Sequence, residues 1–170
     1  MDADVNKEKE VIEKINSKFK LKGDIQRKQR VWINIKKDKL LEISDWLKKE
    51  SFIHLSSISV TDWLKDGVFE ITYHLWSYKY KILITLKTKI DRDKPVIDSV
   101  VSIWDNNAQI HERELHELFG VNFTGNKDLE SLFLDDWKGS PPFKKDFNWR
   151  EYVKDEFYEK ENERERPYYD

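Results

Sequence analysis

The sequence predicts an α+β domain with a four- or five-stranded, mostly antiparallel sheet, packed helices and an extended C-terminal tail. Several segments alternate apolar and polar residues with a period of two, and others repeat apolar residues at helical spacing. The last part of the chain is rich in aromatic residues but has little periodicity. We therefore expect an α+β domain over residues 1–132 and a tail over residues 133–170, since 170 residues fit one domain with some excess.

The first half of the chain predicts the order helix, strand, helix, strand. Apolar residues at helical spacing indicate an amphipathic helix over residues 5–20 that ends before Gly23. Residues 30–35 alternate as a half-buried strand does. Asp38 can cap a second amphipathic helix, and residues 52–60 then form the next strand.

Three further segments predict the rest of the sheet. Residues 68–76 alternate aromatic or aliphatic side chains with polar ones, and residues 78–87 repeat this pattern. The two runs meet at Ser77, which predicts a hairpin there. Residues 97–103 are predicted to add one more strand.

Composition narrows the possible functions. The chain has no cysteine, so it contains no disulfide, no thiolate nucleophile and no Cys-ligated cluster. Its 31 basic and 33 acidic residues are interspersed, which argues against nucleic-acid binding. No apolar run approaches the ~18 residues of a membrane span and the N-terminus is acidic, so we expect an intracellular chain that does not itself cross a membrane. The many Lys, Glu and Ile residues resemble those of proteins from hot environments.

A helix over residues 107–119 carries the strongest signal. Asn106 and Gln109 have the spacing of a capping box, and Gly120 lies where a left-handed glycine would end the helix. Glu112 falls on the apolar face of this helix. Because a buried unpaired charge is costly, Glu112 requires an Arg or Lys partner or backbone donors.

Two histidines near Glu112 suggest one functional hypothesis, a stand-alone metal-dependent hydrolase that uses His111, Glu112 and His116. In helical zinc sites the two histidines are four residues apart and share a face. Here they are five apart and diverge by about 140° around the helix, which weighs against a metal site. A solvated charged helix, in which Arg113 and Glu117 have the spacing of an i,i+4 pair, is another interpretation, and a free-standing protein-binding adaptor is a further one.

The tail predicts contact with another protein. Residues 133–170 hold ten aromatic residues, Trp137 and Trp149 among them, more than this small core can bury. Aromatic residues are enriched in protein interfaces. Residues 150–170 contain 8 acidic and 5 basic residues, a net charge of −3, and would not fold alone. We therefore expect the tail to act as a strap across a partner.

The helix and the following loop resemble the signature of the 30 kDa subunit family of respiratory complex I, which includes the equivalent subunits of membrane-bound [NiFe] hydrogenases and sulfur-reducing archaeal complexes. Residues 108–123 read AQIHERELHELFGVNF, in which the family's Glu-Arg-Glu and Leu-Phe-Gly are present. Later residues match in order: Asp128-Leu129, Leu132, Asp136-Trp137, Gly139, Pro141 and Lys145-Asp146-Phe147.

The resemblance implies a non-catalytic structural subunit in the cytoplasm-facing arm of an ion-translocating, membrane-bound oxidoreductase complex, peripheral to the membrane. It implies two partners, a hydrogenase-like large subunit and a small Fe–S subunit. Iron–sulfur clusters, and in a hydrogenase a NiFe centre, would belong to these partners, with no cofactor in this chain. The motif and the tail supply the expected interface residues: Glu112, Arg113, Glu114, Phe119, Gly120, Trp137, Lys145, Asp146 and Trp149.

Overall fold

A computed structural model describes residues 2–159 of the chain. Its helices are α1 (Asp2–Phe19), α2 (Leu40–Lys49), α3 (Val101–Phe119) and α4 (Trp149–Val153), with a π-helical turn at Lys154–Glu159. Its strands are β1 (Gly23–Arg27), β2 (Arg30–Asn34), β3 (His54–Trp63), β4 (Val68–Ser77), β5 (Ile82–Asp91), β6 (Val96–Asp98) and β7 (Asn122–Thr124). Two of the ten aromatic residues of the predicted tail, Tyr168 and Tyr169, lie outside the described residues.

The main sheet has five strands in the order β1-β2-β5-β4-β3. Strands β2 and β5 are parallel, whereas every other neighbouring pair is antiparallel. A small second sheet pairs β6 with β7 in parallel. The predicted α+β class and the mostly antiparallel sheet are confirmed. Strand β1 was missed because Gly23 was interpreted only as the end of a helix.

One face of the main sheet carries the hydrophobic core. The side chains of Phe69, Ile71, Tyr73 and Leu75 in β4 are all fully buried on this face. Helices α1, α2 and α3 supply the opposing apolar residues of the same core cluster: Val11, Ile15, Leu40, Ile43, Leu47, Ala108 and Leu115. The period of two in β4 and the helical period in α1–α3 therefore meet in one core.

The other face of the main sheet, which we call the open face, is more exposed. In β4 and β5 its side chains are half-buried or exposed, apart from the buried threonines Thr72 and Thr85. It mixes charged and aromatic residues, with Lys87 lying 4.3 Å from the centre of the Trp32 ring and 3.2 Å from Glu70. Within residues 2–159, no helix is long and apolar enough to span a bilayer.

The strand predicted for residues 97–103 is wrong beyond Asp98. Strand β6 ends at Asp98, and α3 begins at Val101 with a kink at Trp104 and Asp105, where Asp105 has a φ of 46°. The backbone N–H of Val100 donates to a Glu112 oxygen at 2.7 Å, so it is turned towards a side chain rather than towards a neighbouring strand. This long-range contact overrides the local alternation.

The predicted capping box is wrong as well. The side-chain amide of Gln109 donates to the backbone carbonyl of Asp128 and does not reach back to Asn106. The predicted end of the helix is confirmed, because Gly120 ends α3 with a φ of 76° and its N–H donates to the His116 carbonyl at 2.8 Å.

Candidate functional site

Glu112 is fully buried, as its position on the apolar face of α3 predicted. Its carboxylate faces Ser99 and Val100, which directly precede the helix. One carboxylate oxygen accepts the Val100 N–H at 2.7 Å; the other accepts the Ser99 hydroxyl at 2.7 Å and the Asn126 amide at 2.9 Å. The required backbone donor is therefore present. Burial raises the pKa of the Glu112 carboxyl, and the three hydrogen bonds offset part of this rise.

Two charged side chains of α3 hold the chain that follows β7. Arg113 donates to the carbonyls of Glu130 and Ser131 at 3.1 and 2.9 Å. Glu117 accepts the backbone N–H groups of residues 132–134 and the Ser131 hydroxyl. Burial alone would raise the pKa of Glu117, but these hydrogen bonds lower it overall. Arg113 and Glu117 thus each bind the segment between β7 and α4, residues 125–148, which we call the loop. The sequence predicted only an i,i+4 pair between these two side chains.

The end of α3 is packed against residues 141–143. The Phe119 ring makes edge contacts with Phe69 of the core and with Phe143, at centroid distances of 5.9 and 5.8 Å. The Phe143 N–H donates to the Leu118 carbonyl at 3.0 Å. A Cβ atom at Gly120 would lie 2.9 Å from Pro141, so the glycine permits close approach as well as the positive φ.

A buried arginine links the same loop to the sheet. Arg92 forms a bidentate pair with Asp62 at 2.8 and 3.0 Å and a second pair with Asp146 at 3.0 and 2.5 Å. The backbone N–H of Lys145 donates to Asp62 at 2.9 Å. Hydrogen bonds from Arg92 lower the pKa of both aspartates, and Asp62 and Asp146 together raise the pKa of Arg92.

The aromatic residues of the tail divide into two groups. Trp137, Phe147 and Tyr152 pack on one another, with centroid distances of 4.4 to 5.8 Å. Five others leave most of their surface uncovered within the described residues: Phe133 at 64%, Phe143 at 58%, Trp149 at 60%, Phe157 at 59% and Tyr158 at 81%. The sequence could not separate these groups because both lie in aperiodic segments.

Some of the predicted interface residues contact other parts of this chain, whereas others are exposed. Glu112, Arg113, Phe119, Gly120 and Asp146 hold the loop inside this chain, and Trp137 packs within the tail. Lys145 contributes its backbone N–H. The Glu114 carboxylate lies 3.9 Å from His111 and is partly exposed, and Trp149 is exposed. Their predicted role in contacting another subunit stays a prediction.

The helix gives no support to the metal hypothesis. His116 Nδ1 lies 2.8 Å from the Val121 carbonyl oxygen, and Glu112 is turned towards Ser99 and Val100. Across the part of the chain that the structure describes, no group of three or more His, Cys, Asp or Glu side chains comes together as a metal site would.

Arg92 is the functional-site residue that the sequence did not reveal. It is 30 residues from Asp62 and 54 from Asp146, so no local pattern connects the three. Tyr73 was also missed: its hydroxyl is buried, and its pKa is raised first by burial and then by the negative charges of Glu112 and Asp98. The available signals were an Arg directly after β5 and a Tyr among the apolar positions of β4.

The fold and the site define an α+β domain whose signature helix and sheet fix a long C-terminal loop. A family profile described as respiratory-chain NADH dehydrogenase, 30 kDa subunit, matches residues 33–153. The chain belongs to this family. The matched range includes Asp62, Arg92, all of α3 and the loop as far as Val153.

Two curated relatives and one solved structure are similar over large parts of the chain. The C subunit of the F(420)H(2) dehydrogenase of Methanosarcina mazei is 36% identical over 142 residues, which cover 81% of this chain and 89% of that protein. The C subunit of the NADH-quinone oxidoreductase of a Roseiflexus species is 30% identical over 64% of this chain and 65% of its own length. A chain of the membrane-bound sulfane sulfur reductase, an archaeal respiratory membrane complex, aligns with a TM-score of 0.81 and 30% identity, covering 91% of this chain and 93% of that one.

Proposed function

We propose that this chain is a non-catalytic structural subunit of a membrane-bound, ion-translocating oxidoreductase complex. In this proposal it lies in the cytoplasm-facing arm, peripheral to the membrane, and supports a [NiFe]-hydrogenase-like large subunit beside a small Fe–S subunit. The observation that carries the proposal is the likeness over 91% of the chain to a component of an archaeal respiratory membrane complex. Within this proposal, the same likeness supports a sulfur-reducing complex.

The contacts of α3 support a structural role. Glu112, Arg113 and Glu117 all direct their charged groups to backbone or side-chain donors and acceptors of this chain. A loop held in this way is fixed before a partner arrives, and pre-ordering lowers the entropy cost of association. Redox chemistry and its Fe–S or NiFe cofactors then belong to the neighbouring subunits.

The exposed tail aromatics supply the contact surface in this proposal. Trp149, Phe157 and Tyr158 follow directly after the loop that Arg92 and Phe119 hold in place. Large aromatic side chains that lose their water on binding commonly provide most of an interface's energy. The loop therefore fixes where the part of the tail that begins at Trp149 leaves the domain, and in this proposal that part binds the large subunit.

A pull-down of the large subunit tests this division of labour. Truncation after Gly139 removes most of the tail, including Phe143 and Asp146, whereas truncation after Asn148 keeps the contacts of these two residues with the domain. We expect both truncated chains to lose most of the large subunit that the full chain retains. Circular dichroism should confirm that the chain ending at Asn148 is folded. Undiminished association of both truncated chains would overturn the tail-strap proposal.

Point substitutions provide a matched control for the truncations. Replacing exposed Trp149 and Phe157 by Ser should reduce capture of the large subunit by tenfold or more, on the order of 1.4 kcal/mol or more. Replacing exposed Ile25 and Ile53 by Ser removes apolar surface elsewhere, since these side chains are 39% and 57% exposed. The control pair should leave capture unchanged. Equal losses in both pairs would point to a general effect of removing exposed apolar side chains and contradict a specific role of the tail.

A further inference from the structure

The open face of the sheet ends in a basic groove of about 730 Å³ beside the β1–β2 turn. This volume falls within the range of about 300–1,000 Å³ that is typical of ligand pockets. Its wall is cationic, and its floor is formed by aromatic and apolar side chains of β4 and β5. The principal lining residues are Arg27, Lys28, Arg30, His74, Trp76 and Leu83.

Two arginines of this groove lie side by side. Arg27 and Arg30 are direct cross-strand neighbours in the β1–β2 hairpin, and like charges in such positions destabilise a sheet. Neither has a carboxylate partner among the described residues, and the groove lining contains no Asp or Glu. The repulsion between the two arginines reduces the stability of the hairpin. Carboxylates supplied by a partner would offset this repulsion.

The turn that carries the arginines is held from two sides. Its Gln29 N–H donates to Glu8 of α1 at 2.6 Å, and its Gln29 carbonyl accepts the Leu83 N–H at 2.9 Å. The Glu8 side chain is 1% exposed and lies behind the turn, bound to backbone. The arginines are thus presented on a fixed element, which favours binding because little order has to be gained.

The floor of the groove combines an apolar surface with positive potential. Trp76 is half-buried and makes an edge contact with Tyr78, whose side chain is 62% exposed. Burial lowers the pKa of His74, and the positive charges of Arg30 and Lys87 lower it further. His74 is therefore held towards its neutral form, and its Nδ1 lies 3.3 Å from the Thr85 hydroxyl oxygen.

We propose that this groove binds an acidic, extended segment of a protein partner, with carboxylates at Arg27 and Arg30 and an apolar side chain on Trp76. Trp, Tyr and Arg are the residue types that most often dominate interface energies. Beyond the groove the open face is charge-balanced, because Lys87 pairs with Glu70, and the whole chain has a net charge of −2. Nucleic acid would require a longer basic surface. None of the described tail residues, 133–159, lines this groove, and the peptide assay below does not depend on the tail's role.

Binding of defined peptides to the purified full chain tests the proposal. The probe is an end-blocked peptide, Glu-Glu-Leu-Glu-Glu-Leu-Glu, followed by amide and tryptophan indole shifts in NMR spectra. We expect saturable binding that shifts the Trp76 indole signal and weakens with salt. The same peptide with Lys in place of Glu should not bind. No saturable binding, or equal binding of both peptides, would overturn the proposal.

Matched variants locate the site. The double variant Arg27→Glu with Arg30→Glu should weaken binding of the Glu peptide at least tenfold. Lys65→Glu with Lys127→Glu makes the same change in net charge on exposed positions elsewhere and should leave binding within twofold. The single variant Arg30→Gln provides a milder change if the double variant does not fold, and should still weaken binding. Equal effects of both double variants would reduce the interaction to net charge and overturn the proposed groove.

Two competing partners are distinguished in the same assay. Anionic phosphatidylglycerol vesicles and a single-stranded oligonucleotide replace the peptide as probes. Binding of either at the groove with no binding of the Glu peptide would assign the surface to a membrane or to nucleic acid and contradict the proposal. A negative peptide result would leave the structural-subunit proposal intact, because that proposal is tested by capture of the large subunit through the tail.

Discussion

At the scale of single residues, the site depends on two buried charged groups that differ in how they are stabilised. Glu112 is compensated by three hydrogen-bond donors, two of them neutral side chains. Arg92 is compensated by two carboxylates. Glu112 could be identified from the sequence because helical geometry alone places it on the apolar face. Arg92 could not, because its partners are distant in the chain.

Glu112→Gln should lower the free energy of unfolding by about 1–3 kcal/mol, the usual cost of leaving a buried polar group unsatisfied. The new amide would place donor hydrogens against the Asn126 amide, whose own oxygen already accepts the Asp128 N–H. Urea unfolding of both proteins measures the difference. Unchanged stability would contradict the hydrogen-bonding role of Glu112.

The same pair of proteins should differ in pH dependence. Because the pKa of Glu112 is raised in the folded state, the native protein binds this proton more readily than the unfolded chain. The contribution of Glu112 is then greatest below the ordinary carboxyl pKa and decreases as pH rises towards the raised value. The stability advantage of the natural protein over Glu112→Gln should therefore shrink across this interval, and an advantage that grows with pH would contradict the assignment.

Arg92→Met should destabilise the protein by about 3–5 kcal/mol, since it leaves Asp62 buried without its counter-charge. Asp146→Asn is the matched control: it keeps the Arg92–Asp62 pair and changes a half-exposed partner. Its cost should be clearly smaller in thermal unfolding. Equal costs for the two variants would argue against Asp62 as the critical partner.

The lowered pKa values of Asp62 and Asp146 also mean that the contribution of these carboxylates to stability is present above the ordinary carboxyl pKa and is lost as pH falls.

At the scale of elements, α3 and its loop form a unit whose sequence signals were partly local and partly not. The helical period and Gly120 correctly predicted the body and the end of α3. Its start was mispredicted because residues 97–103 alternate like a strand, whereas Glu112 draws the backbone of Val100 into a turn. Local patterns therefore failed where a side chain twelve residues away decides the backbone.

Gly120→Ala should destabilise this unit more than Gly67→Ala does. Both glycines have positive φ angles, 76° and 65°, so both substitutions share a backbone cost of roughly 1–2 kcal/mol. Only at Gly120 would the new Cβ meet Pro141, at 2.9 Å; at Gly67 nothing lies within 4 Å. Hydrogen exchange of the Phe143 N–H, which is bonded to Leu118, should accelerate in Gly120→Ala alone. Equal stability and exchange in both variants would contradict the loop packing.

At the scale of the whole molecule, the fold class followed from periodicity, and the family from a motif of sixteen residues in the sequence. The sheet order, with β2 parallel to β5 between antiparallel neighbours, could not be obtained this way, because strand pairing depends on contacts between distant segments. The division of the tail into packed and exposed aromatics likewise emerged only from the three-dimensional structure. The predicted domain boundary at residue 132 stays a prediction.

The most direct test of the proposed structural role is purification of the tagged full chain from detergent-solubilised membranes of its native host, followed by mass spectrometry and metal analysis. We expect stoichiometric recovery of a hydrogenase-like large subunit and a small Fe–S subunit, with the metal lost from this chain's fraction when the subunits are separated. Recovery of the chain alone as a soluble monomer, or with stoichiometric metal of its own, would contradict the account.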